Sequence, residues 1–174
     1  MAFSEQLPII TSADGQLFLA PYTLEDAQDI FGLIDRNREH LSQFDDDTAR
    51  KYPTLDSVIA SISNPVNFGR HRLGIRESSG VLVGAINLTR TVRSRRTAEI
   101  GYYVGSEFGG RGIGTNAVQT LSAYSFAHLG FSSLYGDVVE QNLISQRVLQ
   151  KAGYKKTNQY RAHDFTYVRL TRFA

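Results

Sequence analysis

The chain has 174 residues, a net charge of +2 at neutral pH and no cysteine. This length suits one compact domain with a sizeable core, and we expect residues 1–174 to form a single domain. The absence of cysteine excludes disulfides, thiolate nucleophiles and cysteine-ligated zinc, and the four dispersed histidines give no reason to expect a metal. No apolar run could cross a membrane and "MAFSEQLPII" lacks signal-peptide features, so we expect a cytoplasmic protein without a membrane partner.

The N-terminal third predicts one strand and two helices. "LFLAPY" (17–22) has the composition of a strand. Thr23, with Asp26 three positions later, is a helix N-cap signal, and apolar residues at helical spacing follow it. A second short helix is predicted over 54–62, and the polar segment between the two helices is ambiguous.

The rest of the chain predicts one helical crossover among hairpin-connected strands. Strands are predicted at 68–77, 81–92, 97–105 and 132–140, with two more after residue 154. Helices are predicted from about 112 to 129 and from 142 to 153, each ended by a glycine. We therefore expect an α/β (α+β) fold with a mixed, mostly antiparallel sheet of six to seven strands, flanked by about four helices.

The segment 105–114 contains five glycines between a predicted strand and a predicted helix. It is not a P-loop, because no Gly-Lys-Ser/Thr follows, nor a dinucleotide fingerprint, because the sheet begins as an antiparallel meander. The first amides of a helix lack an internal acceptor and attract anions, and glycines leave those amides accessible. With Arg111 among the glycines the pattern favours a pyrophosphate site; a purely structural tight turn is the alternative.

Several spaced motifs resemble the GNAT-type N-acetyltransferase superfamily: "LFLAPYTLEDAQDIF", "NREHL", "AEIGYYV", "GGRGIGT", "NLISQRVLQKAGY" and "HDFTYV". The resemblance covers roughly 17–172 and is closest to the ribosomal-protein serine/alanine N-acetyltransferase branch. It implies a GNAT-like fold whose β–α–β crossover carries an acetyl-CoA site. The family signature, Gln/Arg-x-x-Gly-x-Gly/Ala, falls on 109–114, where both glycine positions match and Gly109 replaces the usual Gln or Arg. Whether Arg111 compensates is left open.

The resemblance places the cofactor along the strand end, the glycine segment and the next helix. The expected cofactor-binding residues are Tyr102, Tyr103, Val104, Gly109, Gly110, Arg111, Gly112, Ile113, Gly114, Thr115, Asn142 and Ser145. The strand end is expected to supply backbone hydrogen bonds to the pantetheine arm and one N–H to the oxyanion. Gly105 fits a β-bulge that opens the strand, and Tyr103 is placed beside the acceptor channel. Ordinary aromatic packing is the alternative for both tyrosines.

Two residues are candidates for catalysis. Glu99 resembles the proposed base of the branch, acting directly or through water; a solvent-facing residue paired with an arginine is the alternative. Ser145 is the candidate partner of the leaving thiolate, because the helix position at which many family members carry tyrosine is Leu149 here. Asn142 and Ser145 also suit helix capping, and a cap is compatible with a CoA contact.

Two charged clusters stand out. The basic cluster at 90–96 is interpreted as a solvated hairpin turn, with contact to the CoA 3′-phosphate or to an acidic protein as the alternative. The acidic run at 45–47 is interpreted as a solvated loop, with attraction of a cationic acceptor as the alternative. The small net charge and the absence of a basic stripe with interleaved aromatics disfavour direct nucleic-acid binding.

The resemblance implies an acetyl-CoA-dependent N-acetyltransferase, which moves the acetyl group to a primary amine by direct attack without a covalent enzyme intermediate. The favoured acceptor is a protein N-terminal α-amine, and a small-molecule amine such as a polyamine or an antibiotic is the alternative. A noncatalytic CoA-binding module is the alternative from another class. The expected partners are acetyl-CoA and the amine acceptor, and a homodimer is left open.

Overall fold

The structure, a computed structural model, describes residues 6–64, 69–91 and 94–174. These residues form eight strands in one sheet, together with six α-helices. The strands are β1 (Ile10–Thr11), β2 (Leu17–Pro21), β3 (Arg70–Glu77), β4 (Leu82–Arg90), β5 (Thr97–Val104), β6 (Ser133–Val139), β7 (Lys155–Ala162) and β8 (Phe165–Phe173). The helices are α1 (Ala27–Arg36), α2 (Arg38–Leu41), α3 (Thr48–Lys51), α4 (Leu55–Ser63), α5 (Ile113–His128) and α6 (Leu143–Lys151), and short 3₁₀ helices span Leu24–Asp26 and Ser106–Phe108.

The sheet has the order β1-β2-β3-β4-β5-β6-β8-β7. Its neighbouring strands are antiparallel except β5 and β6, which run parallel because α5 connects them as a crossover. The expected mixed, mostly antiparallel sheet with one β–α–β crossover is therefore confirmed.

The described residues contain one strand more than the expected six to seven, because Ile10 and Thr11 pair with β2. A strand of two residues is too short to produce an alternating pattern in the sequence. The helices beyond the expected four are α2 and α3, which have four residues each and lie in the segment whose sequence is ambiguous.

Several helix boundaries follow from local capping signals. Thr23 and Asp26 form the expected capping box, in which Thr23 N donates to Asp26 Oδ2 at 2.8 Å, and the first 3₁₀ helix then leads into α1. At the start of α4, Ser57 N donates to Thr54 Oγ1 at 3.2 Å. Gly130 adopts a left-handed φ of 73° directly after α5, as expected.

Apolar clusters cover both faces of the sheet. One cluster packs α5 and α6 against the central strands and includes Leu121, Leu134 and Leu149, all fully buried. The other packs α1 to α4 on the opposite face and includes Ile34 and Val58. Each fully buried leucine contributes about 1.5–3 kcal/mol of transfer free energy, so these clusters hold both helical layers on the sheet.

Candidate active site

Strands β5 and β6 separate into a wedge at the centre of the sheet. They pair only along the first three residues of β5, of which Glu99, opposite Tyr135, is the last. Strand β5 nevertheless continues to Val104 and stays paired with β4 over that length. Within the described residues, the β6-facing backbone groups of β5 beyond Ile100 therefore have no strand partner, and they are free to bind a ligand.

Helix α6 packs where the two strands separate. A Cβ added at Gly136 of β6 would lie 2.9 Å from Leu149 Cδ1 and 3.4 Å from Ile100 O on the neighbouring strand. Only glycine leaves room for Leu149 at this point, so the sequence of β6 accommodates the helix that forms the second wall of the wedge.

The wedge does not arise from a β-bulge at Gly105, and that expectation is wrong. The β4–β5 register runs without a shift to the end of β5, and Gly105 N donates to Val83 O at 2.9 Å. Glycine is required here for space, because a Cβ would lie 2.7 Å from Glu107 Oε2 and 2.9 Å from Leu33 Cδ1.

Residues 109–112 form the turn that leads into α5, here called the glycine turn. Gly110 and Gly112 have left-handed φ angles of 76° and 77°, and a Cβ at either would meet nothing within 4 Å. Both glycines therefore serve the backbone conformation and border open space. The first hydrogen bond of the helix is from Asn116 N to Gly112 O at 3.0 Å, so the amides of residues 113–115 lack an intrahelical acceptor. No side chain in the described part of the chain caps them. This arrangement suits an anion.

Two other glycines of the segment have steric roles. A Cβ at Gly114 would lie 3.3 Å from Tyr102 Cε2, and one at Gly109 would lie 3.1 Å from Ser106 O. Gly114 thereby allows the start of α5 to approach the Tyr102 ring. The glycine segment thus combines left-handed turns with close packing.

Arg111 is directed toward the end of β3. Its Nη2 lies 2.5 Å from Glu77 Oε1, and about half of the arginine side chain is exposed. In this arrangement the guanidinium of Arg111 is paired with the Glu77 carboxylate.

Asn37, the first residue of the "NREHL" motif, fixes the start of the glycine segment, and the sequence does not indicate its partners. This side chain, at the C-terminal end of α1, is buried. Its Oδ1 accepts from Ser106 N and Ser106 Oγ, both at 2.8 Å, and its Nδ2 donates to Glu107 Oε2 at 3.0 Å and to Leu33 O at 2.9 Å. Asn37 therefore ties the second 3₁₀ helix to α1 across about 70 residues of sequence, a separation that leaves no local signal.

Asn142 and Ser145 lie at the start of α6. Ser145 N donates to Asn142 Oδ1 at 3.0 Å, so the expected capping role of Asn142 is confirmed. Ser145 Oγ lies 3.0 Å from Oη of Tyr102, which reaches it from β5. Burial raises the pKa of Tyr102 to about 12, against the opposing effect of the Ser145 hydrogen bond. Sequence spacing does not indicate this pair of hydroxyls.

Glu99 lies where β5 and β6 separate, near the ion pair between Arg169 and Asp137. Tyr135 Oη donates to Glu99 Oε2 at 3.4 Å. Arg169 Nε and Nη2 donate to the two carboxylate oxygens of Asp137 at 2.8 and 2.6 Å, and Tyr160 Oη donates to the same carboxylate at 2.8 Å. The Arg169 guanidinium also stacks 4.0 Å from the centre of the Tyr135 ring.

The surroundings raise the pKa of Glu99 above the ordinary value for a glutamate. Burial is the largest cause and the negative charge of Asp137 is the second, while Arg169 and Tyr135 act in the opposite direction. A raised pKa makes this carboxylate a better proton acceptor near neutral pH. The oxygens of Asp137, in contrast, are occupied by Arg169 and Tyr160.

A cavity of about 910 Å³ runs from the wedge to the helices on the opposite face of the sheet. It brings together every cofactor-binding residue expected from the sequence: residues 102–104, residues 109–115, Asn142 and Ser145. Glu99 does not line the cavity, whereas Gly101 and Asp137 beside it do. The candidate base is therefore set back from the space in which a substrate would lie.

The part of the cavity lined by α1 to α4, here called the acceptor side, is aromatic with an acidic rim. Tyr22, Tyr52 and Tyr103 line it, and burial raises the pKa of Tyr103 well above its ordinary value. The acidic run 45–47 also lines it, and Asp47 of this run is paired with Lys51 at 2.8 Å. Its first member, Asp45, accepts a hydrogen bond from Tyr167 of β8.

The basic cluster lies in the β4–β5 hairpin, as predicted. Strand β4 ends at Arg90 and β5 begins at Thr97; residues 92–93 lie outside the described residues. The hairpin is at the opposite end of β5 from the glycine turn, and its described arginines do not line the cavity. The hairpin position favours the solvated turn.

Within the described ranges, no three side chains of His, Asp or Glu are placed to hold a metal ion. No helix in the same ranges is both long and apolar enough to cross a membrane. The candidate site consists of backbone amides, hydroxyls, aromatic rings and carboxylates.

Known proteins share the sequence pattern of this chain. The family model described as an acetyltransferase (GNAT) domain matches residues 16–155. "Probable N-acetyltransferase YjcK" of Bacillus subtilis (strain 168) is 31% identical over 146 residues, covering 80% of this chain and 81% of that protein.

Solved structures share the fold. RimL, a ribosomal L7/L12 alpha-N-protein acetyltransferase in complex with coenzyme A, has a TM-score of 0.86 at 15% identity, covering 95% of this chain and 98% of its own. MccE, a microcin C7 self immunity acetyltransferase in complex with acetyl-CoA and AMP, has a TM-score of 0.77 at 17% identity, covering 91% and 93%. Since the family model spans most of the chain and YjcK matches over the same region, the chain belongs to the GNAT acetyltransferase family.

Proposed function

We propose that the protein transfers the acetyl group of acetyl-CoA to the N-terminal α-amine of a protein or peptide, by direct attack of the amine on the thioester. The observation that carries the proposal is the continuous cavity, which joins uncapped amides, an open strand edge and a separate acceptor side. Membership of the acetyltransferase family and the CoA complexes of RimL and MccE support it.

The cofactor is proposed to lie along the glycine turn and in the wedge. The uncapped amides of residues 113–115 suit the pyrophosphate, because the helix dipole adds partial positive charge at the same place. The unpaired edge of β5 beyond Ile100 suits the pantetheine amides, which need hydrogen-bond partners of both kinds. Asn142 and Ser145 border the same space from α6.

The chemistry is proposed to depend on three groups. A backbone N–H at the end of β5 stabilises the oxyanion of the tetrahedral intermediate. Ser145 donates a hydrogen bond to the sulfur as the C–S bond breaks. Glu99, which is set back behind Gly101 and Asp137, accepts the proton of the attacking amine through a water molecule.

The position of Glu99 favours an acceptor that needs little help to lose its proton. An α-amine, with a pKa near 7.7–8.0, is about one-tenth neutral at pH 7, whereas a lysine amine is neutral in only a few molecules per ten thousand. A base that acts through water suits the first acceptor better than the second. The RimL neighbour, an alpha-N-protein acetyltransferase, points in the same direction.

The test is a turnover screen with acetyl-CoA and four acceptor sets: peptides with free N-termini, N-terminally blocked lysine peptides, polyamines and aminoglycosides. Release of CoA is followed with a thiol reagent, which meets no protein thiol because the chain has no cysteine. We expect kcat/KM for free N-termini to exceed that for the blocked lysine peptides by roughly 200- to 400-fold, on amine neutrality alone. Higher kcat/KM for polyamines or aminoglycosides would reject the protein acceptor. Tight CoA binding without turnover on any set would reject the enzyme in favour of a CoA-binding module.

A further inference from the structure

The two hydroxyls that meet across the wedge, Tyr102 Oη and Ser145 Oγ, are not needed by any secondary structure. Ser145 contributes to the start of α6 through its backbone N–H, which donates to Asn142 Oδ1 at 3.0 Å. Its hydroxyl takes no part in that cap and lies 3.0 Å from Tyr102 Oη. Both residues line the cavity.

The Tyr102 side chain has a defined place between α5 and α6. Its ring packs against Gly114, where a Cβ would come within 3.3 Å of Cε2. Its hydroxyl lies 3.0 Å from Ser145 Oγ and 3.4 Å from the backbone oxygen of Ser145, so the side-chain oxygen is the nearer acceptor. Both the ring and the hydroxyl of Tyr102 therefore have contacts that favour this orientation toward Ser145. The glycine at position 114 is therefore also the residue that lets the phenol reach the serine.

We propose that Tyr102 is a positioning residue that donates its phenolic hydrogen to Ser145 Oγ and so directs the hydrogen of Ser145 at the CoA sulfur. The inference rests on the proposed acetyl transfer and adds to it a residue that acts through the serine. Ser145 has a single hydroxyl hydrogen, so it can offer that hydrogen to a ligand only when its neighbour is the donor within the pair.

The chemistry of the pair supports this direction. A phenol is more acidic than an aliphatic hydroxyl and is the stronger hydrogen-bond donor. Burial raises the pKa of Tyr102 to about 12, so the phenol keeps its hydrogen throughout the neutral range. Hydrogen bonds in series strengthen one another, and a serine that accepts from Tyr102 becomes a better donor to sulfur.

No bond is made to either hydroxyl in this step. The electron pair of the broken C–S bond stays on sulfur, and the hydrogen bond from Ser145 stabilises the thiolate. The proton that the sulfur finally takes is the one lost by the amine nitrogen, exchanged through solvent. Neither hydroxyl changes its protonation state over the cycle.

The first experiment is a double-mutant cycle with Tyr102→Phe, Ser145→Ala and the double variant, measured as kcat and KM for acetyl-CoA. Each single change is expected to lower kcat about tenfold, as for the loss of one hydrogen bond to a charged group, with little change in KM. Because Tyr102 acts through Ser145, the double variant is expected to match Ser145→Ala. Additive losses, or an unchanged kcat in either single variant, would overturn the inference.

Tyr154→Phe is the matched control. Tyr154 is also a buried tyrosine whose hydroxyl pairs with a serine, Ser122, at 2.7 Å, and it does not line the cavity. Burial raises its pKa to about 12 as well. Its replacement removes the same kind of hydroxyl pair, so it is expected to lower the melting temperature and to leave kcat unchanged. A loss of kcat equal to that of Tyr102→Phe would mean that the effect is structural.

The second experiment measures the pKa of the CoA thiol bound to the protein, from the ultraviolet absorbance of the thiolate. It needs no acceptor, and no cysteine contributes to the signal. We expect the bound thiol to have a lower pKa than free CoA, and Tyr102→Phe and Ser145→Ala each to raise it by about one unit, equivalent to a tenfold effect. An unchanged thiol pKa in Ser145→Ala would overturn the inference whether or not Tyr102→Phe folds.

The outcomes separate the two proposals. A wild-type protein that turns over an amine while the double-mutant losses add would remove only the role of Tyr102. A wild-type protein that turns over no amine would remove the proposed function and the catalytic role of the pair with it.

Discussion

The two helices that border the wedge begin in opposite ways. Helix α6 begins at Asn142, whose side chain accepts from Ser145 N at 3.0 Å. Helix α5 begins at Gly112, which has no side chain and a left-handed φ of 77°. Helix α5 is seven residues longer than α6, and its first amides also need acceptors, but no side chain among the described residues caps them.

The difference indicates that the start of α6 is stabilised by a side chain of the protein, whereas the start of α5 is left for a ligand. An N-cap contributes about 1 kcal/mol to a helix, so an uncapped start forgoes that stability. At α6 the cap orients the first turn, which holds Ser145 against Tyr102. At α5 the open start leaves the amides for an anion. The predictions below test this division of roles, beginning with the largest effect.

Gly112→Val closes the open start of α5. A β-branched residue does not adopt a φ of 77°, and its side chain would enter the space next to the free amides. We expect CoA to bind at least about 100-fold more weakly, close to 2.7 kcal/mol, in calorimetric titrations.

Gly130→Val is the control at the other end of α5. Gly130 has a φ of 73° and open space around its missing Cβ, so the substitution brings the same backbone strain. It is expected to lower the melting temperature and to leave CoA affinity unchanged. Equal CoA affinities for the two folded variants would remove the pyrophosphate from the start of α5.

Glu99→Gln removes the carboxylate at the position where β5 and β6 separate. We expect kcat/KM to fall about 100-fold. In the wild type, the acid limb of the pH–rate profile should lie above the ordinary pKa of a glutamate, because the pKa of Glu99 is raised. This limb should disappear in Glu99→Gln. A wild-type rate and profile would show that Glu99 does not serve as the base.

The same variant is expected to be more stable than the wild type at neutral pH. Because the pKa of Glu99 is raised in the folded state, the folded protein binds this proton more tightly than the unfolded chain. The contribution of Glu99 to stability is therefore fully present below the ordinary pKa and is lost as the pH rises through the raised pKa. Glutamine does not titrate, so melting temperatures should favour Glu99→Gln at pH 7 and converge at low pH.

Asn142→Ala removes the cap of α6. We expect a loss of about 1 kcal/mol, seen as a melting temperature about 2–4 °C lower, with a smaller loss of CoA affinity than in Gly112→Val. Asn142→Asp keeps a capping oxygen and should restore most of the stability. Equal instability of both variants would mean that the capping oxygen does not matter.

Glu77→Gln has the smallest expected effect, because it removes only the negative charge that pairs with Arg111 of the glycine turn. Arg111 pairs with Glu77 at 2.5 Å, and removal of that partner frees the guanidinium for the diphosphate. Because about half of the Arg111 side chain is exposed, solvent and salt screen the pair, and we expect CoA affinity to rise only about threefold at low salt and less at high salt. A loss of affinity would show that Glu77 holds Arg111 where it is useful.

The sequence predicts those parts of the fold whose signals are local. Thr23 with Asp26, Asn142 and Gly130 mark helix ends because their side chains, or the lack of one, act within a few residues. The two-residue strand at Ile10 is not predicted, since its pairing with Leu19 depends on a partner rather than on its own pattern.

In the candidate site, too, the sequence predicts the features that depend on nearby residues and misses those that depend on distant ones. The glycine turn is recognisable because a left-handed backbone requires glycine at positions 110 and 112. The role of Gly105 is misread because its space requirement comes from Leu33, 72 positions away in the chain. The contacts of Tyr102 with Ser145, of Arg111 with Glu77 and of Asn37 with Ser106 join distant segments, so they appear only in the folded chain.

The single buried amide of Asn37 has a consequence for how this enzyme can diversify. It ties α1, which forms part of the acceptor side, to the 3₁₀ helix that leads into the glycine turn. Substitutions that reshape α1 for a new acceptor would disturb cofactor affinity at the same time. The segment between α2 and α3 is tied instead to β8, through Asp45 and Tyr167. Under the proposed function, we therefore expect substitutions in this segment to change acceptor preference with a smaller effect on cofactor affinity.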